Sequence, residues 1–338
     1  MILVLNCGSQ SIKWVLYDSK KKKVKAGEKS VADTKKYKSF LTEELSKLEN
    51  YKNDIEKIGH RFVHGGKKFR KPLELDSQRI KELEKLNYLA PLHNPYNLLG
   101  IKIGREKFPK AEQIAVFDTG FYINLPEVSR TYPLPEHLRK KYNIQKFGFH
   151  GISHEYASKE AAKQEKKPFG KIKIITCHLG GGSSVTAVNK GKVIDTSMGF
   201  TPLGGVAMMT RPGDIDPGVV LEIGKNIGLA GAEKALNSQS GLKGICKKEN
   251  MLKILESIKQ GDRKAKMALD IFAYSIQKYI GSYYALMGGC DLLVFTGKIG
   301  WGSAKIRKMI SNIKILNKTK VIRIKPDEER AILQKIYG

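Results

Sequence analysis

Acidic residues, cysteine and long apolar runs are all scarce in this sequence of 338 residues. It has 33 aspartates and glutamates against 61 lysines and arginines, and only four cysteines. No apolar run approaches the roughly 20 residues that a membrane-spanning helix needs, so we expect no membrane partner. The cysteines match neither a metal-binding spacing nor a disulfide framework, which favours a reducing, cytoplasmic location.

The apolar N-terminus, residues 1–5, has no basic lead and no cleavage site. We therefore interpret it as a buried strand and not as a signal peptide. The hydrophobic content of 41% is enough to form a substantial core, and the length favours two domains.

The excess of cations gives a net charge of +28, which raises the question of a nucleic-acid or acidic partner. The lysines occur in short runs, such as Lys20–Lys23, and no basic stripe is interleaved with aromatic residues. We therefore interpret the charge as a solvated basic surface and expect no nucleic-acid partner.

A strand–turn–strand pattern occurs twice, about half a chain apart. Apolar runs at 2–5 and 12–17 flank a turn of small polar residues, and runs at 174–177 and 185–188 flank a Gly/Ser turn. The repetition predicts a duplicated α/β architecture. Proline and charge replace periodicity over 133–147, where we place the domain boundary.

Towards the C-terminus, apolar residues recur at helical spacing from Ala265 to Met287, and a Gly-Gly pair then predicts the end of this helix. A buried strand at 292–295, a glycine-rich turn at 296–300 and an amphipathic helix near Ile306 follow. A glycine turn between a strand and a helix is a context in which a loop can hold a nucleotide.

Two arginines lie in loops that suit phosphoryl transfer. Arg61 belongs to Gly-His-Arg-Phe-Val-His-Gly-Gly at 59–66, and Arg211 to Thr-Arg-Pro-Gly-Asp at 210–214. Phosphoryl transfer needs cations directed at the equatorial oxygens in a site without water, and the guanidinium fork matches phosphate or carboxylate. The alternative is that each arginine simply pairs with an acid.

Six of the seven histidines also lie in dense polar and glycine-rich motifs, although a structural, half-buried imidazole is the alternative for any one of them. The two Gly/Ser turns offer backbone amides and hydroxyl groups, as phosphate cradles do. Neither has the Gly-Lys-Ser/Thr end of a P-loop, and plain hairpins have the same composition. Composition and periodicity therefore predict only a two-domain α/β protein.

Ordered motifs extend over nearly the whole chain, from Asn6 to Glu329. They are Asn-x-Gly-Ser-x-Ser at 6–11, Gly-His-Arg-x-Val-His-Gly-Gly at 59–66, Ala-Pro-Leu-His-Asn-Pro at 90–95, Phe-Asp-Thr at 117–119, Phe-Gly-Phe-His-Gly at 147–151, His-Leu-Gly at 178–180, Asp-Thr-Ser-Met-Gly-Phe-Thr-Pro-Leu at 195–203 and Gly-Asp-Ile-Asp-Pro at 213–217. In this order they resemble the acetate kinase family, of the acetate and sugar kinase, chaperone and actin superfamily. The resemblance implies an α/β, two-domain, duplicated actin-like (ribonuclease H-like) kinase fold.

The resemblance also implies the domain organisation and the reaction. An N-terminal domain over 1–146 would receive the C-terminal segment 325–338, and a second domain over 147–324 would carry the donor side and a homodimer interface. The implied reaction is reversible phosphoryl transfer between ATP and acetate, which gives acetyl phosphate and ADP, with Mg²⁺ or Mn²⁺ as cofactor.

The implied site residues fall into four groups. Two arginines that hold the acyl carboxylate and the transferring phosphoryl group, an aspartate beside the metal and a histidine that stabilises developing charge form the catalytic group: Arg61, Arg211, Asp118 and His150. The acyl group is bound by Val63, Leu92, His93, Phe149 and Pro202. Phosphate or nucleotide is bound by Asn6, Ser9, Ser11, Lys13, His178, Gly180, Gly181, Gly182, Gly297, Lys298 and Gly300. The metal is bound by Asn6 and Glu328.

The donor side departs from the family pattern. Gly181 stands where an asparagine is usual, Asn250 and Leu252 replace an Asp-x-Arg that holds adenosine, and Lys298 and Trp301 alter the nucleotide loop. These changes leave pyrophosphate or another small phosphate open as the donor. Propionate or butyrate kinase activity and a catalytically inactive binding relative are the further alternatives.

We predict that acetate is preferred over propionate and that butyrate is a poor substrate, because the four apolar residues of the implied acyl pocket surround space for one methyl group. Each added methylene changes the barrier by only about 1–3 kcal/mol, so the discrimination should be graded. The measurement is kcat/KM for the three carboxylates with a single donor. A higher kcat/KM for butyrate would show that the pocket has been misassigned.

Overall fold

Two mixed β-sheets, each in its own unit, organise the chain in the computed structural model, which describes residues 1–9, 11–31 and 33–337. The first unit consists of residues 1–123 and 327–338, and the second of residues 124–326. Within the described ranges, no helix is both long enough and apolar enough to cross a membrane.

The first unit begins with three consecutive strands and continues with helices and further strands. Its elements up to residue 117 are β1 (Ile2–Cys7), β2 (Ser11–Tyr17), β3 (Lys23–Ser30), α1 (Tyr37–Ser46), β4 (Lys57–Phe62), β5 (Leu73–Glu74), α2 (Ser77–Glu84), α3 (Asn94–Lys107) and β6 (Glu112–Phe117).

The second unit contains the larger share of helix. Its elements are α4 (Glu127–Arg130), α5 (Glu136–Lys141), α6 (Gly151–Gln164), β7 (Lys173–Leu179), β8 (Ser183–Asn189), β9 (Lys192–Thr196), α7 (Pro217–Lys234), α8 (Gly241–Cys246), α9 (Met251–Lys259), α10 (Arg263–Met287), β10 (Leu292–Thr296), α11 (Gly297–Gly302), α12 (Ala304–Ser311) and β11 (Lys320–Arg323). The last helix, α13 (Glu328–Ile336), belongs to the first unit.

The two sheets repeat one topology. Their strand orders are β3-β2-β1-β4-β6-β5 and β9-β8-β7-β10-β11. In each sheet, three consecutive antiparallel strands are followed by two strands that continue the sheet in parallel from the first of the three. The duplication predicted from the two strand–turn–strand patterns is therefore confirmed, with β5 as an added edge strand in the first unit.

The first strand and the last helix are packed closely together. All six residues of β1 are buried, as the continuous apolar run predicted for a strand covered on both faces. Helix α13 packs against β1, β4 and β6. A Cβ added at Gly59 in β4 would overlap Ile332 and Ile336 of α13, so this glycine lets the helix lie close to the sheet.

Helix α10 confirms the helix predicted over 265–287. Asp262 Oδ1 accepts a hydrogen bond from Ala265 N at 3.0 Å and caps its start, and Gly288, with φ 62°, ends it in the left-handed conformation. Helix α10 packs against α8, α9, α12 and β8 and forms the centre of the second hydrophobic core.

The boundary between the units differs from the predicted one at residues 146 and 147. Residues 124–146 belong to the second unit, because Tyr132 Oη accepts from Phe200 N at 2.9 Å and Lys146 Nζ donates to Asp195 Oδ1 at 2.6 Å. The C-terminal part of the first unit begins at 327 and not at 325, and Gly338 lies outside the described residues.

Candidate active site

Three predicted residues of the first unit lie where neighbouring parallel strands end. Asn6 is near the end of β1, Arg61 is near the end of β4, and Asp118 directly follows β6. The carboxyl ends of parallel strands meet at one edge of a sheet, and α/β proteins bind their ligands at that edge.

A buried ion pair connects two of these residues. Arg61 Nη2 donates to Asp118 Oδ2 at 2.6 Å, and Arg61 Nε donates to the same oxygen at 3.1 Å. The Asp118 side chain is only 2% exposed. Arg61 therefore does pair with an acid, and the two contacts hold its guanidinium in a fixed orientation.

Two glutamates at the start of α13 extend this cluster. Asn6 Nδ2 donates to Glu328 Oε2 at 3.1 Å and to Glu329 Oε1 at 3.0 Å, while Asn6 Oδ1 accepts from Arg61 Nη1 at 3.3 Å. The structure thus brings Asn6, Arg61, Asp118 and Glu328 together. The structure also places Glu329 in this cluster. Glu329 was not predicted, although the acidic run at 327–329 could have indicated it.

The carboxylates of this cluster outnumber its arginine. Burial raises the pKa of Asp118, although Arg61 opposes the rise. Burial and the adjacent Glu328 carboxylate raise the pKa of Glu329. Burial alone would lower the pKa of Arg61, but the charges of Asp118, Glu328 and Glu329 together outweigh burial and the pKa rises. An additional cation would therefore be stabilised here.

The residues present fit a magnesium ion. Mg²⁺ prefers oxygen ligands and commonly binds through one or two carboxylates together with substrate phosphates. Glu328 and Glu329 form such a pair, whereas the Asn6 amide orients the cluster because its oxygen accepts from Arg61. Among the described residues, no three His, Cys, Asp or Glu side chains form a complete ligand set, so phosphate oxygens and water would have to complete it.

The turn between β1 and β2 carries the other predicted phosphate ligands of the first unit. Gly8 N donates to Ser11 O at 2.9 Å, and the side chains of Ser9 and Ser11 are partly buried. Lys13 Nζ lies 3.5 Å from Glu28 Oε1, and its charge opposes the rise in the pKa of Glu329. Lys13 therefore acts electrostatically on the glutamate pair.

Two histidines of the second unit are stacked, and a serine contacts each of them. His150, directly before α6, has a left-handed backbone with φ 56°, which is uncommon for a residue other than glycine. Its ring centroid lies 4.3 Å from that of His178. His150 Nδ1 is 2.8 Å from Ser184 Oγ, and His178 Nδ1 is 2.8 Å from Ser153 Oγ.

Arg211 differs from Arg61 because it has no acidic partner in the described part of the chain. Its Nη1 donates to Pro202 O at 2.8 Å, and no described acidic side chain contributes to its electrostatics. Burial lowers the pKa of Arg211 to about 10. A cation removed from water without a counter-ion is costly, so this position favours an anionic ligand. The acid-pairing alternative is therefore wrong for Arg211.

The Gly-Gly-Gly turn brings Arg211 and His150 close together. A Cβ added at Gly182 would lie 2.5 Å from Arg211 Nη2 and 3.3 Å from His150 Nε2, so glycine leaves room for both side chains. Gly180 N donates to Gly182 O at 3.0 Å and closes the turn. A Cβ added at Gly181 would have no described atom within 4 Å, so the asparagine usual at this position would fit.

The segment predicted as a donor-binding turn at 296–300 is mostly helical: it forms the start of α11, which packs against the end of β7. Gly297 has φ 79°, and a Cβ added there would lie 2.5 Å from Leu179 O, so a larger residue would displace the loop. Gly300 is also buried, and a Cβ added there would contact the side chain of Leu179. Lys298, between them, is exposed.

Trp301, in the same loop, contacts cations. Its side chain is 36% exposed. The guanidinium of Arg323 lies 5.4 Å from the centre of the indole, and the ammonium of Lys325 lies 6.0 Å from it. The surroundings of this ring are therefore positively charged.

The predicted acyl-pocket residues are divided between the units. In the first unit, Val63 is 5% exposed, Leu92 is 47% exposed, and His93 directly precedes α3. In the second unit, Phe149 is 1% exposed and Pro202 is partly buried. A pocket formed by all five stays a prediction.

Two buried asparagines of α3 support the first unit's site and were not predicted. Asn97 Oδ1 accepts from Val63 N at 3.0 Å, and Asn97 Nδ2 donates to Cys7 O at 2.6 Å. Asn94 Oδ1 accepts from His64 N at 3.1 Å. These bonds connect the ends of β1 and β4. Their spacing of three, which places both on one helix face, was the signal in the sequence.

The duplicated sheets, with functional groups at the carboxyl edges of their parallel strands, define a two-domain, actin-like kinase fold. Comparison with known proteins identifies the family. A family model described as the acetokinase family matches residues 20–337. The chain belongs to this family, and the resemblance seen in its motifs is confirmed.

Relatives and solved structures support the assignment over the full length. An acetate kinase of Carboxydothermus hydrogenoformans is 42% identical over 341 residues, which cover 91% of this chain and 85% of the relative. The structure of a propionate kinase from Francisella tularensis has a TM-score of 0.89 at 35% identity and covers 99% of this chain and 98% of its own. That of Porphyromonas gingivalis acetate kinase has a TM-score of 0.87 at 33% identity, with 98% of both chains covered.

We predict that Arg61→Ala and Arg211→Ala each reduce turnover by orders of magnitude but affect stability differently. Loss of a preorganised cation removes roughly 3 kcal/mol of transition-state stabilisation. Arg61→Ala also leaves Asp118 buried and unpaired, which should cost about 3–5 kcal/mol of folding free energy, whereas Arg211→Ala leaves no acid unpaired.

The measurements are kcat and urea denaturation, with the exposed Arg79→Ala as the control. Near-normal turnover in either active-site variant would contradict its assignment. Equal losses of stability in both would contradict the difference in pairing.

Proposed function

We propose that this protein is an acetate kinase that transfers a phosphoryl group reversibly between ATP and acetate. The observation that carries the proposal is Arg211, a partly buried cation that has no acidic partner among the described residues and lies beside His150 at a glycine turn. Such a position is stabilised by an anion that brings two or more negative oxygens, as a phosphoryl group does. Membership of the acetokinase family supports the choice of substrates.

The reaction needs little covalent help from the protein. A carboxylate oxygen of acetate attacks the γ-phosphorus of ATP, an oxygen–phosphorus bond forms, and the bond to the ADP oxygen breaks with its electron pair leaving on ADP. Arg211 and His150 balance the charge on the equatorial oxygens, and Arg61, oriented by Asp118, holds the acyl carboxylate. Magnesium or manganese at Glu328 and Glu329 would neutralise phosphate charge.

A second donor, pyrophosphate or another small phosphate, is favoured by the state of the adenosine-binding positions. Asn250 Oδ1 accepts from Lys253 N at 2.9 Å and caps α9, so it is engaged in the fold. Leu252 is 73% exposed and offers no charge to a nucleoside. The Trp301 ring already has two cations nearby, Arg323 and Lys325. ATP remains the first proposal because the family supports it.

We predict that ATP binds weakly or with little selectivity for its base, because no charged side chain is available at either adenosine position. Acyl phosphate, trapped as its hydroxamate, is measured with acetate and Mg²⁺ for ATP, GTP, other nucleotides and pyrophosphate. Trp301→Glu, which restores the acid usual in the family, should lower the KM for ATP, with Val128→Glu as an exposed control.

Two outcomes would decide between the donors. A low-micromolar KM for ATP with strong preference over other nucleotides would refute a degraded nucleoside site. Activity with pyrophosphate and none with ATP would establish the second donor. No acyl phosphate with any donor would contradict the proposed function and favour an inactive relative.

We further propose that the protein is a cytoplasmic homodimer formed through its second unit. Helix α7 buries only Ala232, whereas Leu221 is 67% and Leu229 83% exposed. Gly228, with φ 73°, divides α7 into two helical segments, and Leu221 and Leu229 lie on either side of it. Several large apolar side chains exposed on adjoining segments are typical of an interface. The four cysteines are buried free thiols, which suits a reducing compartment.

We predict that light scattering gives about twice the chain mass of 37.8 kDa and that Leu221→Glu and Leu229→Glu shift the protein towards the monomer. A charge placed in an apolar interface is desolvated without a partner. Val128→Glu, at a position that is 90% exposed in α4, is the matched control. A wild-type monomer would contradict the dimer.

A further inference from the structure

A chain of hydrogen bonds lies behind His150 in the interior of the second unit. His150 Nδ1 is 2.8 Å from Ser184 Oγ, which is 2.7 Å from His154 Nε2. His154 Nδ1 is 2.6 Å from Thr176 Oγ1, which also donates to Thr186 O at 3.4 Å. Ser184, His154 and Thr176 are all 0% exposed, so no water competes for these bonds.

His154 couples the two ends of this chain. Burial, together with nearby His178, holds the pKa of His154 well below its usual range, so its ring is neutral and carries one N–H. A neutral imidazole donates at one nitrogen and accepts at the other. If His154 donates to Thr176, it accepts from Ser184, and Ser184 then accepts from His150. If His154 instead donates to Ser184 and accepts from Thr176, donor and acceptor exchange roles in every hydrogen bond of the chain.

The far end of the chain favours one of these two directions. The carbonyl oxygen of Thr186 can only accept, so it takes the proton of the Thr176 hydroxyl. Thr176 Oγ1 must then accept from His154 Nδ1. In the reversed direction, Thr176 would donate its one hydroxyl proton to His154. It could then form no hydrogen bond with the carbonyl of Thr186. A buried network is more stable with every bond made.

The near end favours the same direction. A Cβ added at Gly182 would lie 2.5 Å from Arg211 Nη2 and 3.3 Å from both Cε1 and Nε2 of His150, so this edge of the ring is near the guanidinium. A guanidinium has donors only, so a lone pair on Nε2 is compatible with this neighbour, whereas an N–H directed towards the cation is not. The titratable or charged groups near the His150 ring include His178 from β7, His154 from α6 and Arg211 from the loop after β9.

We propose that Thr176, His154 and Ser184 are positioning residues that fix neutral His150 as its Nδ1–H tautomer. Nε2 then carries a proton only when His150 is an imidazolium. Donation from Nε2 to a phosphoryl oxygen therefore requires the imidazolium, and binding of the phosphate anion beside Arg211 and His150 promotes uptake of that proton. The inference rests on the proposed function for its role in catalysis, but the tautomer is independent of activity.

The tautomer is measured directly from ¹⁵N shifts of the imidazole nitrogens in histidine-labelled protein, with His150→Gln to assign the signals. Above the titration of His150 we expect a protonated Nδ1 and an unprotonated Nε2, opposite to the tautomer that free histidine prefers in water. An Nε2–H tautomer in the wild-type protein would overturn the proposal, whether or not the protein is active.

Thr176→Val tests the chain from a residue that does not touch His150. Without the acceptor at Thr176, His154 should donate from Nε2 to Ser184, Ser184 should donate to His150, and neutral His150 should become the Nε2–H tautomer. Ser158→Ala is the matched control, because the Ser158 hydroxyl is also buried in α6 but donates only to the carbonyl of His154 at 2.7 Å. No change of tautomer in Thr176→Val would contradict the coupling.

The pH profile provides a readout that a merely structural role would not move. In the wild-type protein kcat should fall about tenfold per pH unit above the titration of His150, because the imidazolium is lost. In Thr176→Val this alkaline fall should disappear, because the neutral Nε2–H form can donate. Assays stay below about pH 9, because burial lowers the pKa of Arg211 to about 10. An unchanged alkaline fall in a variant whose tautomer has switched would refute the role in catalysis.

Failure of the proposed function would have a different signature. In that case no donor would support acyl phosphate formation, while the wild-type tautomer and its reversal in Thr176→Val would still be observed.

Discussion

Both functional clusters depend on one constraint: a positively charged side chain that is largely removed from water must be stabilised by other groups. In the first unit, Arg61 satisfies it with Asp118 through three hydrogen bonds. In the second unit, Arg211 has the carbonyl of Pro202 but no acid among the described residues. An ion pair formed in advance is a rigid part of the site, whereas an uncompensated cation gains most from an arriving anion. The two arginines therefore differ physically: Arg61, near the end of β4, is held by an acid of its own cluster, whereas Arg211 lacks such an acid among the described residues.

The repeated sheet topology explains why the clusters occupy corresponding positions. In each unit the first strand leads into a tight turn, and the next strand is parallel to the first and ends beside that turn. In the first unit this places Arg61 beside Asn6, and in the second it places the Gly297 loop beside His178. Glycines permit the close approach: a Cβ at Gly182 or Gly297 would meet a neighbour at 2.5 Å.

Local patterns predicted the parts of the structure that local forces determine. Helix α10 and both strand–turn–strand units have the expected periodicity, and the family motifs named most residues of both clusters. Glu329 and the Ser184–His154–Thr176 chain were not predicted, because they depend on hydrogen bonds between distant residues; Asn6 and Glu329 are 323 positions apart. The boundary was misplaced for the same reason, since the bond of Tyr132 to Phe200 leaves no periodic signal in the sequence.

The cost of substitution differs between the two sides of the second unit's site. Behind His150 each polar atom is a partner to the next, and replacing one leaves a buried group unsatisfied at about 1–3 kcal/mol. On the donor side, Leu252 and Lys298 are exposed, and Asn250 has a structural use as the cap of α9. Side chains at exposed positions can be substituted with little effect on the stability of the fold. The fold therefore constrains the residues behind His150 more strongly than Leu252 and Lys298, the positions at which the sequence departs from the family pattern.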